Sequence, residues 1–156
     1  MTKEVLIHVK GIQTTDESQG PDEPLEVITT GEYYYRNDTH YLLYEEQMEG
    51  FREPVHNMVK VRPGHMEVRK KGPVQVHMVF ENDKTNVACY QTPYGPIHME
   101  ISAVRVYLGE GDELLEIGTD YALGMNGQAV ADCQMKIRVT PKGTKEGTTF
   151  FSEFRK

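Results

Sequence analysis

Residues 128–140, which read QAVADCQMKIRVT, alternate apolar and polar side chains with a single interruption at Val130. Successive side chains of a β-strand point to opposite faces, so this period of two predicts a strand with one buried face. The face predicted to be buried carries Ala129, Ala131, Cys133, Met135, Ile137 and Val139. The opposite face is polar, and we expect it to contact water.

The same period continues toward the N-terminus. Residues 74–81 and 114–125 alternate clearly, and weaker alternation covers further segments. Those segments are about 3–12, 25–36, 39–48, 55–62, 65–71, 85–91 and 96–108. Within 96–108 the apolar phase changes, which predicts a β-bulge near Ser102–Ala103 or, alternatively, a strand covered on both faces.

Turn signals separate these segments. Asn126-Gly127 is the strongest, because a two-residue type I′ hairpin requires positive φ at both central positions. About ten strands joined by short turns describe an antiparallel up-and-down meander. Since an open sheet of this size leaves unpaired edges, the all-β chain is predicted to close into a barrel, with a sandwich as the alternative.

The length of the chain favours a single domain over residues 1–156. The formal net charge of −7 disfavours nucleic acid as a partner. The charge is uneven, because residues 1–53 contain twelve acidic and four basic residues, whereas residues 60–71 contain five basic residues and one acidic residue. We therefore predict a long acidic loop at 13–24 and a basic hairpin at 60–71.

The cysteine content and the N-terminus indicate the compartment. Cys89 and Cys133 do not make a disulfide framework, and we expect both thiols to be free and buried in a reduced, cytoplasmic protein. The N-terminus lacks the apolar core of a signal peptide. No apolar run approaches the roughly 20 residues of a spanning helix, so no membrane partner is expected.

Three segments carry a resemblance to a known family. They are TTGEYYY at 29–35, YLLYEE at 41–46 and YQTPYG at 90–95. Together with the opening strand at 5–10, they resemble the YwiB-like family of small bacterial proteins of unknown function. The resemblance covers roughly 3–140, but not the loop at 13–24 or the residues after Lys145. It implies a calycin-like, lipocalin-like β-barrel and no particular activity.

Motifs of known catalytic sites are missing from the sequence. There is no nucleophile elbow, Gly-rich phosphate loop or HExxH motif, so we predict no catalytic residue and no cofactor, and enzymatic activity is not expected. Two His-Met-Glu triplets begin at His65 and His98. We interpret them as Met facing inward with His and Glu facing water, rather than as metal ligands.

Tyrosine is the most suggestive residue type in the chain. Seven of the nine tyrosines lie on three predicted strands or at their ends. A tyrosine combines an apolar ring with a polar tip, which suits a pocket for a small ligand, although tyrosines also simply fill barrel walls. We predict a barrel that binds a small, partly apolar molecule. The predicted ligand-binding residues are Tyr33, Tyr35, Tyr44, His77, Tyr90 and Tyr94.

The alternative function is a filled barrel that acts as a protein-interaction module. The aromatic C-terminal tail, residues 146–156, contains Phe150, Phe151 and Phe154. Three aromatic rings this close together are expected to be covered. They either dock onto the barrel or contact another protein, and if that protein is a second copy of the chain, the contact would make a homodimer.

Overall fold

Ten antiparallel strands make up the computed structural model, which describes residues 3–15 and 25–142. Their bounds follow the predicted segments closely, since alternation and turn chemistry both act locally. The strands are β1 (Glu4–Thr15), β2 (Leu25–Arg36), β3 (Thr39–Glu46), β4 (Val55–Arg62), β5 (His65–Lys71), β6 (Gln75–Glu81), β7 (Lys84–Thr92), β8 (Gly95–Glu110), β9 (Leu115–Met125) and β10 (Gln128–Pro141).

The strands form a closed barrel in which each one pairs with its neighbours in sequence. β1 completes the ring by pairing with β10 from Val5 opposite Pro141 to Thr15 opposite Ala131. This confirms the predicted up-and-down barrel and excludes the sandwich. Closure gives every strand two neighbours, although the pairing of β6 with β7 is limited to Gln75–His77 against Cys89–Gln91.

Within the described ranges, no helix is long and apolar enough to cross a membrane.

The hairpin turns confirm the predicted turn chemistry. Asn126 and Gly127 have φ values of 53° and 79°, as a type I′ turn requires. Asn37 and Asp38, between β2 and β3, also have positive φ values. Asn and Asp tolerate this left-handed backbone better than other residues that carry a Cβ.

β8 contains the predicted bulge. Its pairing with β9 shifts register between Ala103 and Arg105, so Val104 is 65% exposed while Val106 is buried. The extra residue explains why the apolar phase of residues 96–108 changes midway. A second shift, between Ala129 and Ala131 on β10, leaves Ala129 exposed, although the alternation places it on the buried face.

Two expectations need correction and two lie outside the described residues. The predicted loop at 13–24 begins too early, because β1 continues to Thr15 and stays paired with β10. The remainder of that loop, 16–24, and the aromatic C-terminal tail are outside the described residues. Both cysteines are free, but only Cys133 is buried. Cys89 pairs with His77 and His98 on the outer face of the barrel, so its predicted burial is wrong.

Candidate functional site

The interior of the barrel differs between its two ends. One end, the closed end, carries the β2–β3, β4–β5, β6–β7 and β8–β9 turns, and inward residues near it, such as Val5, Val139 and Phe80, are 0% exposed. The other end, the open end, carries the β5–β6, β7–β8 and β9–β10 turns. Inward residues near it are mixed, because Val9 and Met135 are partly exposed whereas Val55, Ala131 and Cys133 are buried. We call the interior at the open end, where these partly exposed side chains lie, the cup.

Three tyrosines face this cup from different walls. Tyr90 donates its hydroxyl to the Sδ atom of Met78 at 3.1 Å. Tyr121 packs edge-on against Phe80, with ring centroids 4.9 Å apart, and hydrogen-bonds Cys133. Tyr44 lies across the barrel on β3. Burial raises the pKa of all three hydroxyls, so each is a neutral donor near pH 7.

Two buried polar side chains add hydrogen-bonding capacity to the interior. Asn57 on β4 is 2% exposed, and Thr119 on β9 is 1% exposed. The Asn57 amide donates to the carbonyl of Val55 at 3.3 Å, but its Oδ1 atom has no partner among the described residues, and the same holds for Thr119 Oγ1. β4 and β9 are five strands apart in the ten-stranded ring, so these atoms lie on opposite walls.

An ion pair stands at the rim above Asn57. Lys70 Nζ lies 3.1 Å from Glu46 Oε1, and each side chain is 31% exposed. Lys70 is the cross-strand neighbour of Asn57, and Glu46 is two residues beyond Tyr44 on β3. The rim of the open end therefore places charge directly above the polar and aromatic groups of the cup.

A hydrogen-bonded relay crosses the closed end. The Tyr33 hydroxyl lies 2.7 Å from His40 Nδ1, and His40 Nε2 lies 3.0 Å from Glu110 Oε2. Burial, reinforced by Glu110, raises the pKa of Tyr33, so its hydroxyl donates to Nδ1, and His40 donates through Nε2 to Glu110. Because β3 and β8 are opposite each other in the ring, the relay bridges the interior and closes this end.

The outer wall of β4–β6 carries the predicted basic hairpin around one carboxylate. Glu67 Oε2 accepts hydrogen bonds from His77 Nε2 at 2.6 Å and from Arg69 Nε at 3.0 Å. Partial burial alone would raise the pKa of Glu67, but these two hydrogen bonds outweigh it, and the pKa lies below its usual value. The hairpin is therefore a linked charge cluster and not a run of independent cations.

Removing this carboxylate should change how stability depends on pH. Folding lowers the pKa of the Glu67 carboxyl group, so the ionised carboxylate stabilises the fold at pH values above its pKa in the unfolded chain. This stabilisation is lost as the pH falls through the pKa that the group has in the folded protein. We expect Glu67→Gln to cost about 1 kcal/mol at neutral pH, and this cost should shrink as the pH falls through the acidic range, as measured by urea unfolding. Glu45→Gln is the control, because Glu45 is 63% exposed and its nitrogen partner, on His56, lies 3.7 Å away. Equal effects of both variants would contradict the role of the cluster.

The structure distributes the six predicted ligand-binding residues over four places. Tyr44 and Tyr90 face the cup, whereas Tyr33 and Tyr35 lie at the closed end beside His40. His77 is on the outer wall bound to Glu67, and Tyr94 is fully exposed in the β7–β8 turn. The six residues therefore do not form one site.

Some interior residues were missed by reasoning from sequence. Tyr121 lies in phase with the buried face predicted for 114–125, and His40 lies in phase with Leu42 and Tyr44, so alternation could have found both. Asn57 gives no such signal, because a polar residue between Val55 and Val59 suggests no function by itself. No group of three or more His, Cys, Asp or Glu residues in the described segments is arranged to hold a metal ion.

Comparisons with known proteins agree with this architecture. The family model described as "Domain of unknown function (DUF1934)" matches residues 7–137. The chain is 28% identical over 122 residues to the "Uncharacterized beta-barrel protein YwiB" of Bacillus subtilis (strain 168), which covers 77% of this chain and 82% of that protein. It is also similar to the crystal structure of YwiB, with a TM-score of 0.77 and 25% identity over 91% of this chain and 93% of that one.

Proposed function

Because this chain belongs to the DUF1934 family, whose description names no activity, we propose from the geometry of its own barrel that it binds a small, partly apolar molecule in the cup at the open end. The family assignment confirms the resemblance to YwiB-like proteins. YwiB itself is described only as an uncharacterised β-barrel protein, so neither the family nor YwiB supplies a ligand.

The observation that carries the proposal is the unpartnered Oδ1 atom of Asn57, which lies inside the barrel and is almost fully buried. A buried acceptor without a partner costs about 1–3 kcal/mol. A ligand that carries a hydrogen-bond donor would remove this cost. Thr119 Oγ1 offers the same opportunity on the opposite wall.

The surrounding residues indicate the chemistry of the ligand. Met99 and Met135 are partly exposed toward the interior and present flexible, polarisable side chains. Tyr44, Tyr90 and Tyr121 offer apolar ring faces together with neutral hydroxyls. A mostly apolar body with one or two hydrogen-bonding groups fits this combination.

Two further parts of the proposal concern partners and compartment. The two free cysteines support a reducing, cytoplasmic environment. The alternative interaction function depends on the aromatic C-terminal tail, which lies outside the described residues, and no described contact favours it. Ligand binding in the cup is therefore the function that we carry forward.

Native mass spectrometry of the protein purified from its own cells tests the proposal, with the fluorescent probe 1-anilinonaphthalene-8-sulfonate as a second reporter. We expect a retained small molecule and saturable probe binding. Met135→Trp should abolish both, because the new ring extends into the cup beside Gly11, the cross-strand neighbour of Met135. Val104→Trp is the control, since Val104 is exposed on the outer wall.

Asn57→Leu tests the carrying observation directly. It removes the unpartnered amide while keeping a similar volume, so we expect weaker retention of the molecule without a lower melting temperature. The proposal is wrong if the wild-type protein retains nothing and its probe binding is unchanged in Met135→Trp. A molecule that Asn57→Leu retains as well as wild type would show that Oδ1 does not bind it.

A further inference from the structure

Cys89 stands in a row of nitrogen-bearing side chains on the outer wall. Its cross-strand neighbours are His77 on β6 and His98 on β8, and Arg69 on β5 is the next residue beyond His77. The Sγ atom lies 3.7 Å from His98 Nε2 and 3.7 Å from Gln91 Nε2. The thiol is therefore partly exposed and in contact with a group that accepts a proton.

A pocket of about 170 Å³ opens beside this thiol. Its lining includes Cys89, Gln91, His77, Arg69 and Lys71. Arg69 uses Nε to bind Glu67, and Lys70 is paired with Glu46. Lys71 forms no ion pair among the residues that the structure describes, so it contributes an unneutralised positive charge to the lining of the pocket that also contains Cys89.

Taken together, the geometry points to a thiol–disulfide exchange site at Cys89, and we propose that it reacts with an acidic low-molecular-weight disulfide. The carboxylates of such a molecule would bind Lys71 and the free side of Arg69, and its disulfide would lie against Cys89 Sγ. Charged groups of one sign around a reactive atom raise the local concentration of a reagent of opposite charge.

The exchange conserves atoms and electrons. The Cys89 thiol gives its proton to His98 Nε2, and the resulting thiolate attacks one sulfur of the reagent. A bond forms between Cys89 Sγ and that sulfur as the disulfide bond of the reagent breaks. The other half leaves as a thiolate and takes the proton from His98. A mixed disulfide replaces the original disulfide, and a free thiol reverses the reaction.

Cys133 provides an internal comparison. It is 5% exposed, faces the interior and hydrogen-bonds Tyr121. Burial raises the pKa of its thiol despite the opposing effect of that hydrogen bond. A buried thiol of this kind is chemically inert. The site at Cys89 lies on the outer wall, so it does not depend on ligand binding in the cup, and either proposal can fail alone.

The test compares two reagents on the full-length folded protein near neutral pH. One is 5,5′-dithiobis(2-nitrobenzoate), a disulfide with two carboxylates, and the other is 4,4′-dithiodipyridine, an uncharged disulfide. We expect Cys133→Ser to keep the fast reaction and Cys89→Ser to lose it. Relative to N-acetylcysteine amide, the folded protein should favour the anionic reagent about tenfold, and added salt should remove this preference.

Two further variants separate recruitment from proton transfer. The double variant Arg69→Gln, Lys71→Gln should lose the preference for the anionic reagent, whereas Lys136→Gln on distant β10 should keep it. His98→Asn should slow both reagents by a similar factor and leave their ratio unchanged. The salt dependence of the wild-type protein needs no variant, so it keeps the test valid if a substitution impairs folding.

Three outcomes would overturn the proposal. The first is fast reaction that persists in Cys89→Ser, and the second is a reagent preference no greater than that of the small thiol. The third is a preference that is insensitive both to salt and to the loss of Arg69 and Lys71.

Discussion

Replacing Phe80 by alanine is expected to remove about 4 kcal/mol from the free energy of unfolding. Phe80 on β6 is 0% exposed and is among the largest fully buried side chains of the described barrel. Truncating it leaves a cavity that the closed ring of strands cannot collapse, and Tyr121 loses its edge-to-face partner. Since small domains are stable by only about 5–15 kcal/mol, most of the margin can disappear.

Urea unfolding followed by far-ultraviolet circular dichroism measures this loss, because the sequence contains no tryptophan for fluorescence. Val87→Ala is the control, since Val87 on the adjacent strand is 69% exposed and should change stability by less than about 0.5 kcal/mol. A loss below about 1 kcal/mol for Phe80→Ala would mean that the interior at this level is loosely packed.

The second large effect is expected at Gly31. A Cβ atom on this residue would lie 2.5 Å from the carbonyl oxygen of Leu43 and 2.6 Å from Ile7 Cδ1. The carbonyl belongs to the backbone of β3, which is paired with β2, so it cannot retreat without disturbing the ladder. Gly31→Ala should therefore cost about 3 kcal/mol, although alanine normally suits a strand better than glycine.

Gly11→Ala is the matched control for this substitution, because Gly11 also faces the interior but its nearest neighbour, the Gln134 carbonyl oxygen, would be 3.9 Å from the new Cβ. We expect Gly11→Ala to leave the unfolding midpoint unchanged or slightly raised. If the two variants lose similar amounts of unfolding free energy, the close approach of β1, β2 and β3 is not the reason that residue 31 must be glycine.

At the candidate site, sequence reasoning succeeded where apolar and polar residues alternate clearly and the inward position carries a tyrosine. Tyr44 follows from the alternation of β3, and it faces the cup. Sequence reasoning failed at Cys89, because on β7 both faces carry apolar residues. Ala88 is buried while Val87 is exposed, and nothing in that segment indicates which phase points inward. The pairing with β6 and β8 decides this phase.

Asn57 shows a different limit of the sequence. Its position on an inward phase follows from Val55 and Val59, but its missing hydrogen-bond partner depends on what the other walls present. The relay of Tyr33, His40 and Glu110 could not be predicted from local sequence either, because His40 and Glu110 are 70 positions apart in the chain. Such contacts depend on how each strand is offset against its neighbour, accumulated over all ten pairings of the barrel. No local sequence pattern encodes this accumulated offset.

The sequence by itself therefore determined the strands and the turns, because each depends on residues close together in the chain, whereas the choice of a closed barrel over a sandwich depended on the pairing of β1 with β10. The alternation of residues 128–140 and the positive φ at Asn126 and Gly127 are local properties of this kind. Only the tertiary structure decided which end is closed, which polar atoms remain unpartnered inside, and that Cys89 lies between two histidines outside. These features depend on which strands meet across the barrel, and that is set by the combined register of all ten pairings.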